Sequence, residues 1–500
     1  MNIKNKNSFI IFSSALLIGL ILLNLTSRDI FKRFDLTDNK MYSLSNSSKK
    51  IVSELDDRLI MKVYFSENLP NELGNTRRYL QDILEEYRAA SDEINFYFHN
   101  PQSDEDLEEQ ARKDGIQPVQ MQAIENDEMV VKKVYLGMVL LYEDKKEILP
   151  VIQTTTGLEY MISTKIKSLI NADKKTVAIL DLSSQKELKT ETLSSQLNEH
   201  YNFRTVTPDE EIPNNIDVLL VNGTTDSVSK NTIENLTLFL NEGKKIFLAQ
   251  SGVNADIQTQ KATPIESNIF DFLKLYNLKL KKNLILDGKC GSVQVQERRG
   301  IFMMNRPMEY PFFPMVDTFN SSEIIVSDLE QVLPFFPSEI EIDSSKNDNI
   351  LGVTRLFSSS ENSGLMENNF ILSPDPQQNP FLNLLGQSGK LISAISRLTN
   401  GGELLLVSDS RFLGDNGGMS VEGNLVFLMN SVDYLAGDKD LISLRSREIT
   451  NRPLDEIEDS SKKNWKYINM LLPSFLIMSF GFWRMRKEKF KAEMLKQIYD

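Results

Sequence analysis

A single cysteine, Cys290, stands in 500 residues, beside two histidines and two tryptophans. One thiol cannot close an intrachain disulfide. A disulfide-built secreted domain is therefore excluded, whereas a bacterial periplasmic setting is not. His99 and His200 are far apart, and no Cys/His pair has metal-ligand spacing, so the sequence supports no zinc site. SDEDLEEQ (103–110) lacks the EF-hand pattern and reads as a solvated helix face. No GxxxxGK[ST] occurs, which excludes P-loop hydrolysis of ATP by this chain, and GxGxxG is missing too. The expectation is no metal and no cofactor. A basic surface is also lacking. Acidic residues number 70 against 56 basic ones, a formal net charge of −14, which argues against nucleic-acid binding.

What is present begins with 41% hydrophobic residues, enough for folded cores in a chain of multi-domain length. Phe9 to Leu25 (FIIFSSALLIGLILLNL) carries no charge. At ~1.5 Å per residue it is roughly long enough to cross bilayer hydrocarbon. Lys4 and Lys6 precede it, as in a signal peptide, but no small-x-small cleavage site follows, so it reads as an uncleaved anchor. Ala15 and Gly19 supply a small-xxx-small pair suited to close helix contact, or else two small residues facing lipid. A second uncharged run, Tyr467 to Trp483, is short for a span and contains Pro473. It has aromatics near its ends and Arg484, Arg486, Lys487, Lys489 and Lys491 directly after it. The positive-inside rule places both termini in the cytoplasm. Segments 1–7 and 484–500 are then cytoplasmic, 8–27 and 467–483 are spans, and the acidic middle is extracytoplasmic.

The middle reads as mixed α/β. In domain 28–170, Ser45 signals a helix start, and strand 59–65, helix 76–90 and strand 94–98 form a βαβ unit. Strands 129–142 and 146–152 form a hairpin, and helix 156–170 closes a three-layer or thioredoxin-like domain. With no CxxC pair, it has no thioredoxin redox chemistry. Domain 174–440 alternates strand 176–181, helix 191–200, strand 203–207, strand 216–223, helix 230–241, strand 245–249 and helix 265–276, which predicts a doubly wound parallel sheet. The Pro- and Phe-rich insertion 289–380 reads as long loops and edge strands, either packed over the sheet or serving as a partner surface. Strand 402–409, the turn Asn416-Gly417-Gly418 and helix 422–436 follow. Segment 441–466 returns the chain to the membrane.

FDLTDNKMYSLS, then a helix, a strand ending near a proline and a strand ending in Asn100-Pro101, resembles the GldG family, auxiliary ("substrate-binding") subunits of gliding-motility ABC transporters. GNLVFLMNSVDYLAGDKDLISLRSREITNRPL (423–454) is similar to that family's closing segment, with an Asn-containing helix, an acidic-glycine turn and an Ile/Leu-x-Arg strand. The resemblance implies two transmembrane helices holding the α/β ectodomain, and a glutamine-amidotransferase-like or flavodoxin-like central domain. It also implies a permease partner in the bacterial inner membrane, a separate cytoplasmic ATPase, and a link to gliding motility and protein secretion.

Three functions are weighed on this basis. The first is a non-catalytic auxiliary subunit whose ectodomain couples mechanically to membrane subunits. The second is a periplasmic solute-binding receptor, with Asp181, Asp217, Asp287 and Asp409 near strand ends as crevice residues or as caps of loop amides. The third is a hydrolase with Ser251 of Gln250-Ser251-Gly252 as nucleophile and His200 as base. That motif lacks the leading glycine of a G-x-S-x-G elbow, and folds recur without their chemistry, so no catalytic residue is assigned. His99 reads as a strand-end residue.

Overall fold

Ser45 opens the first described helix, α1 (Asn46–Ser53), by accepting a hydrogen bond from Ser48 N at 3.1 Å. The structure is a computed structural model that describes residues 14, 16–18, 43–67, 69, 71–125, 128–171, 174–183, 188–299, 302–327, 329–345, 347–375, 378–379, 383–446 and 459–499. Apart from 14 and 16–18, the apolar run Phe9 to Leu25 lies outside these residues. Two units are distinguished, Met1–Ile449 and Thr450–Asp500.

The first unit contains two main sheets. Strand β1 (Leu59–Phe65), helix α2 (Asn71–Ala90) and strand β2 (Ile94–His99) form the expected βαβ unit, β1 and β2 being parallel. Helix α3 (Glu105–Lys113) leads to β3 (Val119–Glu125), β4 (Glu128–Val134), β5 (Leu136–Tyr142), β6 (Lys145–Leu149) and helix α4 (Leu158–Ile170). The sheet order is β2-β1-β5-β6, with β5 antiparallel to β1 and β6. Strand alternation sends Leu59, Met61 and Val63 into one core, and Tyr64 with Val139 into a smaller one that includes Ala111 of α3. The stretch expected to be one strand, 129–142, is two. Tyr135 bonds Ser66 twice, its N–H donating to the Ser66 hydroxyl and its carbonyl accepting from the Ser66 N–H, each at 3.0 Å. Before that point β4 pairs with β3, a strand the sequence reading missed, and after it β5 pairs with β1.

The second sheet is built from β7 (Thr176–Asp181), α5 (Glu191–His200), β8 (Asn202–Val206), β9 (Val218–Asn222), α6 (Lys230–Asn241) and β10 (Lys245–Ala249). Beyond them run the pair β11 (Val253–Asp256) and β12 (Lys261–Pro264), α7 (Ile269–Leu275), β13 (Leu278–Leu280) and β14 (Leu284–Asp287). Next come β15 (Cys290–Arg299), β16 (Phe302–Pro314), β17 (Thr318–Phe319), β18 (Ile340–Ile342), β19 (Ile350–Ser358), β20 (Ser363–Met366), β21 (Leu391–Leu398) and β22 (Glu403–Val407). Helices α8 (Glu422–Ala436) and α9 (Lys439–Ser446) end the unit. The order is β17-β19-β21-β22-β10-β9-β7-β8. From β8 to β22 the pairs are parallel, and β21, β19 and β17 extend them antiparallel. Both faces are covered. Val177, Val218 and Phe247 enter one core while Ala178, Leu219 and Ile246 enter the other, so these strands read as continuous apolar runs.

The insertion supplies edge strands, β17 and β19, to the large sheet, and adds the long ribbon β15–β16. Two expectations are corrected here. Helix 265–276 begins only at Ile269, since Ile265 N donates to Gly252 O and Pro264 belongs to β12. The Ile/Leu-x-Arg strand is helix α9, whose Leu441 and Leu444 face one core and Ile442 another.

The second unit, taken by itself, is helix α10 (Asp459–Tyr499), within which Ser461–Lys491 is long and apolar enough to cross a membrane. The expected span 467–483 lies inside it, and Pro473 is accommodated within the helix. Large apolar side chains such as Phe475, Ile477 and Phe482 are exposed. A helix apolar on all sides requires lipid or partner helices around it.

Candidate functional site

The crevice at the carboxyl ends of parallel strands is where an α/β sheet binds ligands. Here that edge is closed by its own polar contacts. Asn222 Nδ2 donates to Asp181 Oδ1 at 2.8 Å across the β7–β9 switch point. The Gln250 side chain accepts from Thr224 N at 2.8 Å and donates to the carbonyls of Thr224 and Ser251. The buried Ser251 hydroxyl accepts from Ser410 N at 2.8 Å. Asp409 is fully buried and accepts from Phe335 N and Arg411 N, each at 2.8 Å. Burial pushes its carboxyl up to about 6, against the pull of those two N–H groups.

Ser251 has no base. His200 ends α5, immediately before β8, at the amino edge of the sheet, whereas Ser251 follows β10 at the carboxyl edge. The His200 Nε2 instead lies 3.3 Å from the Tyr160 hydroxyl. The glycine after Ser251 has a packing reason. A Cβ on Gly252 would sit 1.8 Å from the Lys281 carbonyl oxygen, so the backbone is the obstacle. Gly252→Ala should therefore lose about 2 kcal/mol of stability through overpacking. A shift in urea unfolding worth less than about 0.5 kcal/mol would show that this crossing yields.

The remaining aspartates do not converge. Asp217 precedes β9 at the amino edge and accepts from Thr176 N at 2.8 Å. Asp287 ends β14, where it accepts from Ser360 N at 2.6 Å and Lys289 N at 2.9 Å. His99 ends β2 with its ring 5.5 Å from that of Tyr64, and burial lowers its pKa.

A different constellation is brought together where α4, α5, α8 and α9 meet. Arg445 of α9 lies at its centre. Its Nη2 is 2.8 Å from Asp433 Oδ2 of α8 and hydrogen-bonds the Tyr160 hydroxyl of α4, and its Nη1 donates to Asn430 Oδ1 at 2.7 Å. The guanidinium stacks 4.8 Å from the Tyr160 ring centroid. Tyr201, next after α5, donates to Asp433 Oδ1 at 2.5 Å. Asp433 is 0% exposed and Arg445 11%. Burial raises the Asp433 carboxyl, with Arg445 opposing it, and pushes the Tyr160 hydroxyl up to about 12. The same burial, reinforced by the Arg445 charge, lowers His200 to about 4, so its imidazole is neutral at pH 7.

Around this knot, Lys167 of α4 pairs with Asp438 at 2.8 Å, Lys50 of α1 with Asp440 at 2.7 Å, and Ser47 with Ser443 at 2.6 Å. A cavity of about 70 Å³ adjoins it, lined by Lys167, Lys174, Lys175, His200, Tyr201 and Asp438. The Lys175 ammonium binds the Ala436 carbonyl at the end of α8, and Lys174 donates to Glu199 O at 3.3 Å. The arrangement offers no acid–base pair aimed at a substrate. It locks four helices in one register. Sequence reading missed Tyr160, Tyr201, Asp433 and Arg445. The signal available was a charged residue, Asp433, inside the apolar helix LVFLMNSVDYLA. Among the described residues no His/Cys/Asp/Glu group could hold a metal ion.

Comparison with known proteins adds the following. A family model described as an ABC-type uncharacterized transport system matches residues 174–424, half of the chain, and one described as a domain of unknown function matches 38–141. An uncharacterized protein of Borreliella burgdorferi is 22% identical over 506 residues, covering 95% of this chain and 96% of its own length. Among solved structures, the N-terminal domain of mmIFT52 is 12% identical, spans 52% of this chain and 97% of its own, and has a TM-score of 0.35. A glutamine amidotransferase of Thermotoga maritima is 9% identical, spans 56% and 100% respectively, and has a TM-score of 0.26.

Proposed function

This chain belongs to the ABC-type uncharacterized transport system family, and we propose that within such a system it is a non-catalytic auxiliary subunit that couples a large extracytoplasmic α/β body to a membrane partner. The observation that carries this reading is helix α9. Its Leu441 and Leu444 enter the core of the first sheet, Ile442 enters a core of the second, and Arg445 ties α4 to α8. In sequence α9 is the last element before α10, which holds the apolar stretch 461–491. Within the large unit, α9 is the element that ties both sheets together. Such a part needs rigidity and no nucleophile, which suits a sheet edge whose Ser251 is occupied by Ser410 N.

The finer reading extends this. Phe9 to Leu25 is the first span and α10 the second, both termini are cytoplasmic, and the bulk of the chain is periplasmic in a bacterial inner membrane. The first sheet is thioredoxin-like and the second amidotransferase-like, each without the associated chemistry. The partners are a multi-span permease and, through it, a cytoplasmic ATPase. A system of the GldG kind, linked to gliding motility and protein secretion, is supported by FDLTDNKMYSLS and by segment 423–454. Purification of the intact chain in mild detergent should bring down a permease and a nucleotide-binding subunit. Both should remain after the ectodomain is deleted and disappear when the two apolar runs are replaced by unrelated spans. Recovery of no transporter subunit would overturn the reading. Saturable uptake of a small solute by the intact chain would favour a solute receptor instead.

A further inference from the structure

The outer edges of the two main sheets are built differently. Strand β6 carries Lys145, Lys146 and Glu147, charges of the kind that keep an edge from pairing with another chain. The large sheet is guarded by Arg204 in β8 at one edge and by the shortness of β17, two residues, at the other. Strand β2, INFYFH, has no acidic residue, lysine, arginine or proline, and its register with β1 is unbroken. Among the described residues no strand pairs with its outer side.

The parallel pairing decides which backbone groups face outward. Leu59 N donates to Glu93 O at 2.9 Å, so Asn95 and Tyr97, in phase with Glu93, turn their N–H and C=O towards β1. Those of Phe96 and Phe98 point away from the sheet. Their rings pack against the first core, 6.1 Å apart and edge to face, while Tyr97 on the other face is 54% exposed. Two guanidiniums flank this edge. Arg77 of α2 lies 5.2 Å over the Phe98 ring and Arg88 lies 5.0 Å over the Phe96 ring. Neither has an ion pair among the described residues, and Arg77 Nε is buried with no hydrogen-bond partner. Of the nearby carboxylates on α2, Glu85 accepts from Gln81 Nε2 at 3.4 Å. Glu93, in phase with Tyr97, belongs to the opposite face.

A strand added here would set side chains opposite Phe96 and Phe98, on the arginine face and roughly 7 Å apart. Carboxylates at those alternate positions meet both guanidiniums. A second copy of the chain is a poor fit. Only Phe96 and Phe98 offer outward groups in mid-strand, so a two-fold pairing of β2 with itself opposes these residues and brings arginine against arginine. We propose that the outer edge of β2 is a docking site for an extended partner segment with acidic residues at alternate positions. The segment adds a fifth strand to the four-stranded sheet through main-chain hydrogen bonds, and its carboxylates bind Arg77 and Arg88.

The test uses the full chain in detergent and a fluorescein-labelled peptide with the core Glu-Val-Glu-Val-Glu, followed by fluorescence anisotropy. Binding should saturate and weaken with added salt. Glutamine in place of the peptide's glutamates should weaken it by about tenfold or more. Arg88→Glu, at an exposed position of α2, should cause a similar loss with unchanged far-UV circular dichroism. Methylation of the peptide's backbone nitrogens in one alternate set should abolish binding, and methylation of the other set should leave it. Binding that survives both sets overturns strand addition, and equal binding of the glutamate and glutamine peptides overturns acidic recognition. Self-association of the chain that Arg88→Glu strengthens would assign the edge to a second copy and overturn the proposal too. None of these readouts involves a transporter subunit, so their failure leaves the coupling role of α9 standing.

Discussion

Arg445→Ala should lower the unfolding free energy of the large unit by about 3–5 kcal/mol, the usual consequence of removing one partner from a buried ion pair. The expected size follows from what is left behind. Asp433 is 0% exposed, and without Arg445 its charge has the Tyr201 hydroxyl beside it and no cation in contact. Two helices lose their tie to α9 at once, because the same guanidinium, carried by α9, contacts Tyr160 of α4 and both Asn430 and Asp433 of α8. Replacing both charges is a different matter, since a buried pair exchanged for groups of similar volume is often neutral. The double variant Arg445→Met/Asp433→Asn should therefore recover most of the loss. Urea unfolding in detergent, followed by far-UV circular dichroism, reads both variants. Tryptophan emission would miss the effect, since Trp465 and Trp483 both lie in the C-terminal helix. A loss below about 1 kcal/mol for Arg445→Ala would show that the knot is not what holds α9, and the coupling role would fall with it.

Much of the frame is legible from residues alone, for identifiable reasons. TVAILD and IDVLLVNG read as strands because both faces of the parallel sheet are covered and every position must be apolar. Strand β21, LISAISRL, escapes because two serines interrupt it. Both are fully buried, and Ser393 satisfies its hydroxyl by donating to Leu406 O at 2.9 Å, so a polar residue sits in the core at little cost. Strand β19 escapes because its register slips between Ile350 and Gly352 and again after Arg355, which breaks the period-two signal. Helix α9 is a strand only in what the resemblance implies; its apolar residues serve two cores, Leu441 and Leu444 entering one and Ile442 the other. The site was less legible than the fold. Asp433 and Arg445 lie on two different helices, α8 and α9, so only the tertiary placement of α9 reveals the pair. The serine and histidine that drew attention, Ser251 and His200, lie at opposite edges of one sheet for a reason visible only in the topology: one follows a parallel strand and the other precedes one.

His200→Gln should make the protein less sensitive to acid, by about 2–3 kcal/mol between pH 7 and pH 4.5 relative to the parent. In the folded protein burial, with Arg445 close by, holds His200 near 4, whereas in the unfolded chain it titrates near 6.5. At pH 7 the imidazole is neutral in both states and contributes no pH dependence. As pH falls below 6.5 the unfolded chain takes up a proton that the folded protein refuses, so stability drops until about pH 4. Asp409 acts in the opposite sense over nearly the same window. Its folded carboxyl titrates near 6 and its unfolded one near 3.8, so protonation favours the folded state as pH falls from 6 towards 4. The two slopes offset each other in the parent, which should show a shallow profile there. Removing the histidine exposes the Asp409 slope, and the variant should gain stability on acidification where the parent does not. Glutamine keeps a polar group near the Tyr160 hydroxyl, so its effect at pH 7 should be small by comparison. Unfolding midpoints of parent and variant at pH 7, 5.5 and 4.5 decide it. A stability difference that stays constant across the three values would mean that His200 takes up its proton normally in the folded state. The knot around Arg445 would then be open to water rather than the dry, rigid joint that coupling requires.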